Sequence, residues 1–395
     1  MPNDEQPAAS VGVPQRAIER VWNAAVRLHQ TGLHPALALC IRCKGEVVLD
    51  RAIGRLRGSS RDGPPDATVP ARPDTLFLLW SASKPVTAMV MHLLEERGHL
   101  RLDDPVARYV PEFARHGKER ITLRHLMTHR AGIPNGVPLD PDTLADGRRM
   151  VAHVCDLRPR WPAGTRLAYH ALTAGYLLAE IALRVTGRDL RGLLTSEILE
   201  PLGLRSLSYG VPAHRLADVA ENVLTGLRMR PPISTVFERG MGTSLDRMVE
   251  LCNQPQLLGA IVPSVNVIGT ANDGSRFFEL LLRGGTLDGK RIFRQDTVVR
   301  ARIEQVRWEA DALYGLPIRY ATGFMLGRER LGPFGPGTPR AFGHVGFTSN
   351  LLFADPERDI SVCLLTNGKP LLSPGQLRWL GLARLIAQAF PRRPL

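Results

Sequence analysis

Lysine is scarce in this 395-residue chain: Lys44, Lys84, Lys118, Lys290 and Lys369 are its only five, against 46 arginines. Cysteine is equally sparse. Cys40, Cys43, Cys155, Cys252 and Cys363 are odd in number, and the Cys40-x-x-Cys43 pair has no second pair to complete a zinc site. Three residues apart on a strand they point to opposite faces, so buried free thiols are expected. No run of 18 apolar residues occurs, and no membrane-spanning helix is expected. The opening MPNDEQPAAS has no basic segment followed by an apolar one, so a cytoplasmic location is the expectation. A G-x-S-x-G nucleophile elbow, a phosphate-cradling loop and a dinucleotide fingerprint are all missing. No cofactor is implied, and an α/β-hydrolase site is excluded. Internal repeats and low-complexity segments are absent as well.

The formal charge of +13 raises the question of a nucleic-acid partner. The arginines are scattered as singles and pairs rather than gathered in a stripe with interleaved aromatics, so none is expected. The length exceeds what one core usually serves, and two lobes are anticipated. Ile18, Val21, Trp22, Ala25 and Leu28 follow helical spacing up to Gly32, and the runs 36–43 and 47–53 flank a Lys44-Gly45-Glu46 turn. Near the other end, segments around His344, 351–354 and 360–365 read as three strands, one turn being Asp355-Pro356-Glu357-Arg358. A last helix is expected to be capped by Ser373 with Pro374 at its first position and to turn Leu380, Ala383, Ala387 and Phe390 to one side. The fold class is therefore α/β of the α+β type, an antiparallel sheet flanked by helices with a second, all-helical lobe. The expected sheet lobe comprises residues 11–80 and 296–395, and a mainly helical lobe comprises 81–295.

Chemistry concentrates in LLWSASKPVT, residues 78–87. The apolar pattern Val86, Met89, Val90, Leu93, Leu94 ends at Gly98, and Pro85 is tolerated only in a first turn, so a helix begins close to Ser81. Ser81 and Lys84 then share one face while Ser83 points elsewhere. The helix N-terminus offers free N–H groups where an oxyanion would form. A lysine buried against Trp80 and apolar neighbours would lose its charge and take the serine proton. His125 and His129 have the spacing of a zinc-protease helix, but Leu126 stands where that chemistry needs glutamate, and no metal is expected.

The run from Pro73 to Phe113 that contains this stretch resembles the beta-lactamase-like serine hydrolases, the group of class C beta-lactamases, D-alanyl-D-alanine carboxypeptidases and family VIII esterases. ITLRHLMTHRAGIP (121–134), WPAGTRLAYHALTAGYLLAEIALRVTG (161–187), EPLGL (200–204) and GHVGFTSNLLFADPERDISVCLLTNG (343–368) extend the likeness in order over about two thirds of the chain. The resemblance implies Ser81 as nucleophile, Lys84 as its proton-handling partner and Tyr169 as the tyrosine of the second motif. It implies that His344-Val345-Gly346 is the third motif, on an edge strand facing the serine, and that the N–H groups of Ser81 and Phe347 form the oxyanion hole. Trp80, His170, His344 and Gly346 are the expected substrate-binding residues.

Two departures bear on substrate. Ala171 stands where the second motif carries an amide-binding asparagine, and His344 stands where most beta-lactamases carry lysine, a weaker cation at neutral pH. Both point away from lactams and acyl-D-Ala-D-Ala and toward a small uncharged ester, the expected partner. Beta-lactamase, D-aminopeptidase-like and acyl-transfer activities stay open on the same site, as does a non-catalytic scaffold of the same fold. Oligomeric state is not legible.

Overall fold

The structure, a computed structural model, describes residues 5–57, 69–138, 140–313, 315–371 and 373–393. Residues 58–68 and 394–395 of the expected sheet lobe, and residues 1–4 before it, lie outside the described residues. Helix α1 (Gln15–His29) leads into the hairpin β1 (Ala36–Cys43) and β2 (Glu46–Gly54). Lys44 and Gly45 turn it with φ of 54° and 93°. The middle of the chain carries α2 (Lys84–Glu96), α3 (Thr173–Thr186) and α4 (Ala271–Leu282). Then follow β3 (Val306–Ala310), β4 (Pro317–Tyr320), β5 (Met325–Leu326), β6 (Phe342–Gly346), β7 (Asn350–Asp355), β8 (Ile360–Thr366) and α5 (Arg378–Ala389).

The eight strands form one antiparallel sheet in the order β2-β1-β8-β7-β6-β5-β4-β3, so the two chain ends meet where Leu37 pairs with Thr366. Residues of β1, β7 and β8 are buried on both faces, because alternate side chains meet different layers. Leu39, Ile41, Phe353 and Leu364 face α1 and α5, whereas Ala38, Cys40, Leu352 and Cys363 face α2 and α4. Cys40 and Cys43 fall in different layers, as the spacing predicts, and all five cysteines are free.

Three expectations need correction. Helix α4, inside the span assigned to the helical lobe, packs on the sheet: a side chain at Gly274 would come within 2.6 Å of Cys363 Sγ, and Arg42 Nε donates to Ser275 Oγ at 3.1 Å. Its buried Phe277, Phe278, Leu280 and Leu281 give it an apolar surface that the sheet covers. The helical lobe also carries a small antiparallel sheet, Phe77–Leu78 with Val267–Gly269 and Ser208–Tyr209, and is therefore not purely helical. The last helix starts at Arg378, not after Ser373, because the Ser373 hydroxyl accepts the Leu227 N–H at 2.8 Å instead of capping. From that start Leu382, Ala383, Ile386 and Ala387 face inward, and Leu380 is exposed.

Candidate active site

The Phe77–Leu78 strand runs into a tight 3-10 turn, Trp80–Ser83, from which α2 continues. A 3-10 turn has three residues per turn and eclipses side chains at i and i+3. Ser81 and Lys84 are thereby stacked, with Lys84 Nζ 3.3 Å from Ser81 Oγ. Ser83 points away: it is buried, and its hydroxyl accepts the Val267 N–H at 3.0 Å. Trp80 enters the turn with φ +55°, a left-handed conformation rarely tolerated by a bulky residue. Its surroundings over-determine that conformation. The indole N–H donates to Asn222 Oδ1 at 2.9 Å, and Asn222 in turn exchanges hydrogen bonds with Asn253. Phe347 lies 5.5 Å from the indole, and Lys369 Nζ sits 5.3 Å from the ring centre. The cation against Trp80 is thus Lys369, whereas Lys84 sits 4.7 Å over the ring of Tyr169.

Lys84 Nζ also donates to the carbonyls of Ala171 at 3.0 Å and Ser264 at 3.2 Å. No carboxylate pairs with it among the described residues, and burial brings its pKa down from 10.5 to about 7. The three acceptors, Ser81 Oγ and the two carbonyls, match the three hydrogens of the ammonium; once the amine is neutral, two hydrogens suffice for the carbonyls and the lone pair faces the Ser81 hydroxyl proton.

The second motif is held by a residue that sequence reasoning missed. Asn135, one position beyond the quoted 121–134 segment, donates to the Tyr169 carbonyl at 2.8 Å and accepts the Ala171 N–H at 2.8 Å. Its amide bridges both sides of His170 and fixes the segment that presents Tyr169. His170 does not face the cleft as expected. It is fully buried, 5.5 Å from His129, whose Nδ1 accepts the His170 N–H at 3.1 Å. His129 packs 4.5 Å from Tyr169, and His125 closes a capping box with Thr122, so the two histidines of the zinc-like spacing serve separate structural ends. No cluster of three metal-ligating side chains occurs among the described residues.

Strand β6 brings the third motif to the serine, with two differences from expectation. It is an interior strand, since β5, β4 and β3 extend the sheet beyond it. However, β5 pairs only with Phe342 and Gly343, so His344–Gly346 form a locally free edge toward Ser81. The His344 side chain is buried and turned inward, its Nδ1 2.7 Å from the Val345 carbonyl, and burial and then the Lys84 charge hold its pKa at about 3. It is neutral and does not line the cleft; Val345, Gly346 and Phe347 do. Gly346 lies so close to the serine turn that a Cβ would stand 2.3 Å from the Leu79 carbonyl oxygen.

A cavity of about 260 Å³ opens on Ser81, Trp80, Tyr169 and Phe347. Its wall is Leu, Met and Val with a few uncharged polar groups such as Asn135, Thr243 and Gln376. Among the described residues that line it, none carries a charge.

The sheet, the Ser81–Lys84 turn and the cleft together define a serine hydrolase of the beta-lactamase fold. A model of the Beta-lactamase family matches residues 23–385, and the chain belongs to that family. The esterase/beta-lactamase LipL of Mycobacterium tuberculosis (strain ATCC 25618 / H37Rv) is 30% identical over 81% of this chain and 76% of its own length. Among solved structures, a family VIII carboxylesterase superposes with a TM-score of 0.80 at 26% identity, covering 96% of this chain and 99% of that one. A penicillin-binding-protein homologue from Caulobacter crescentus gives 0.78 at 28% identity, covering 94% and 98%. No helix among the described residues is long and apolar enough to cross a membrane.

Proposed function

We propose that this chain hydrolyses carboxylic esters with uncharged, apolar acyl groups through an acyl-enzyme on Ser81. The observation that carries the reading is the uncharged cavity beside Ser81. A penicillin or an acyl-D-Ala-D-Ala brings a carboxylate whose desolvation needs a cation, and neither His344 nor any lining residue supplies one. An ester brings no such charge. In the proposed sequence Ser81 Oγ attacks the carbonyl carbon as its proton passes to the neutral Lys84 amine. The oxyanion is held by the N–H groups of Ser81 and Phe347, the first lying in the opening turn where helical N–H groups have no carbonyl partner. Collapse breaks the ester C–O bond, and the alkoxide leaves with the proton from Lys84, relayed by the Tyr169 phenol. Water then adds to the acyl carbon, giving up a proton along the same route, and Ser81 leaves with it. The names of the relatives, one an esterase/beta-lactamase and one a family VIII carboxylesterase, support the same reading.

A p-nitrophenyl ester series of increasing acyl length, run beside a chromogenic cephalosporin, tests this. Esters are expected to turn over with kcat/KM at least about 10²-fold above the cephalosporin, since leaving one carboxylate unpaired costs on the order of 3 kcal/mol. A cephalosporin turned over faster than p-nitrophenyl butyrate overturns the proposal.

A further inference from the structure

The wall of the cavity continues outward into an unusual piece of surface. Met241 and Thr243 line the cavity, and the helix that ends at Met241, Ile233–Met241, buries none of its residues. Helical spacing places Val236, Gly240, Ile233, Phe237 and Met241 on one face about 140° wide. Part of that face is occupied: Phe237 packs against the cluster around Trp80, and Gly240 abuts Leu313. Two of its apolar side chains are in solvent, Ile233 52% and Val236 68% exposed. On the adjoining segment Leu227 is 61% exposed, and its N–H is bound to Ser373 Oγ in the loop that carries the cavity residues Leu371 and Gln376 and the 70% exposed Leu377. Four of the exposed large apolar residues therefore sit on the two segments that also carry the cavity residues Met241, Leu371 and Gln376. Arg228, Arg230, Arg239 and Arg378 are exposed among them, against Glu238 alone in the same two segments.

Apolar side chains in solvent beside a row of arginines match the two layers of an anionic lipid surface: acyl chains for Leu227, Ile233, Val236 and Leu377, headgroups for the arginines. An acidic protein surface would answer the arginines but not the bare aliphatic groups. We propose that the mouth of the cavity docks on a negatively charged lipid–water interface, which presents the uncharged cavity directly to the apolar layer where water-insoluble molecules reside. The formal charge of +13 favours the same encounter at long range.

Flotation of the full chain with phosphatidylcholine vesicles, with and without about one third phosphatidylglycerol, tests this in the absence of any ester, so failure here is distinct from failure of the hydrolase reading. Binding to the anionic vesicles is expected, weaker by roughly tenfold or more on phosphatidylcholine alone or in high salt. The double variant Ile233→Ser/Val236→Ser is expected to lose roughly tenfold or more in partition coefficient. The triple variant Arg228→Gln/Arg230→Gln/Arg239→Gln is expected to lose the salt-sensitive part. All these side chains are exposed, and unchanged thermal unfolding confirms the fold. No flotation with anionic vesicles at millimolar lipid overturns the proposal, as does undiminished flotation of both variants.

Discussion

Lys84 is the residue on which the proposed chemistry turns, and its environment makes a signed prediction. Burial without a carboxylate partner brings its pKa to about 7, so the proton-accepting amine is the minor form below that pH and the major form above it. kcat/KM for an uncharged ester is expected to rise through pH 7 and reach a plateau by about pH 8. A flat profile from pH 5.5 to 9 would contradict a lysine base. Lys84→Ala and Tyr169→Phe are each expected to lower kcat by roughly 10²-fold or more with the fold intact. Ser81→Ala is expected to abolish turnover and the single fluorophosphonate adduct seen by intact mass. Ser83→Ala should keep the adduct, but it leaves the buried Val267 N–H without its acceptor and should cost about 1–3 kcal/mol of stability by urea titration. At this scale the Ser81–Lys84 pair was legible because helical geometry is local. The directions of His170 and His344 were not, since which way a motif side chain points depends on packing against residues far away in sequence, here the ring of His129 for one and that of Tyr169 for the other. Asn135 carried no pattern of its own in the sequence; only its place directly after Pro134 marked it.

At the scale of elements, the site depends on β6 passing against the turn that precedes Ser81. Gly346 permits that approach, and Asn350 fastens it: its Nδ2 donates to the Leu78 carbonyl at 2.9 Å while its Oδ1 accepts from Thr366 N at 2.8 Å. Gly346→Ala places a methyl 2.3 Å from the Leu79 carbonyl oxygen and 2.9 Å from Asn350 Cβ, neither of which can give way without moving backbone. The strand must then shift relative to Ser81, carrying the Phe347 N–H with it. Such a displacement is expected to lower kcat/KM for esters by roughly 10²-fold and to slow fluorophosphonate labelling in parallel. Labelling at the parental rate would mean that Phe347 does not contribute to the oxyanion hole. The terminal hairpin and the three consecutive strands were readable as short apolar runs bounded by turn residues. The short strands β3, β4 and β5 were not, because two- to five-residue strands carry too few alternations to register. The strand β6, which the resemblance implies to be an edge, is one only over its last three residues, since β5 pairs with its first two.

The whole molecule holds an unusual number of neutral titratable groups out of water. Burial lowers His34 and His344 to a pKa of about 3, His92 and His170 to about 4, and His129 well below its ordinary value. It also lowers Lys84 and Lys369 to about 7. For each of these the unfolded chain binds protons that the folded chain refuses, so stability must rise with pH across the interval between the two pKa values. The histidines act from about pH 3 up to 6.5 and the lysines from about 7 up to 10.5. The buried thiols act in the opposite sense: Cys40 and Cys252 are raised to about 12, and Cys43 and Cys155 to about 11, so their contribution is present below pH 9 and lost above it. Stability by urea titration is therefore expected to climb from pH 5 to about 8.5 and then level off. Lys369 isolates one contribution, for it is fully buried, donates to the Thr366 carbonyl at 2.7 Å and has no carboxylate partner among the described residues. Lys369→Met keeps the aliphatic stem beside Trp80 and removes the buried amine. The variant is expected to flatten the climb between pH 7 and 8.5 by up to about 1.4 kcal/mol per pH unit, the limit for a single proton. A slope in that interval identical to the parent would show that Lys369 stays charged in the folded protein, held by the Thr366 carbonyl and the face of Trp80.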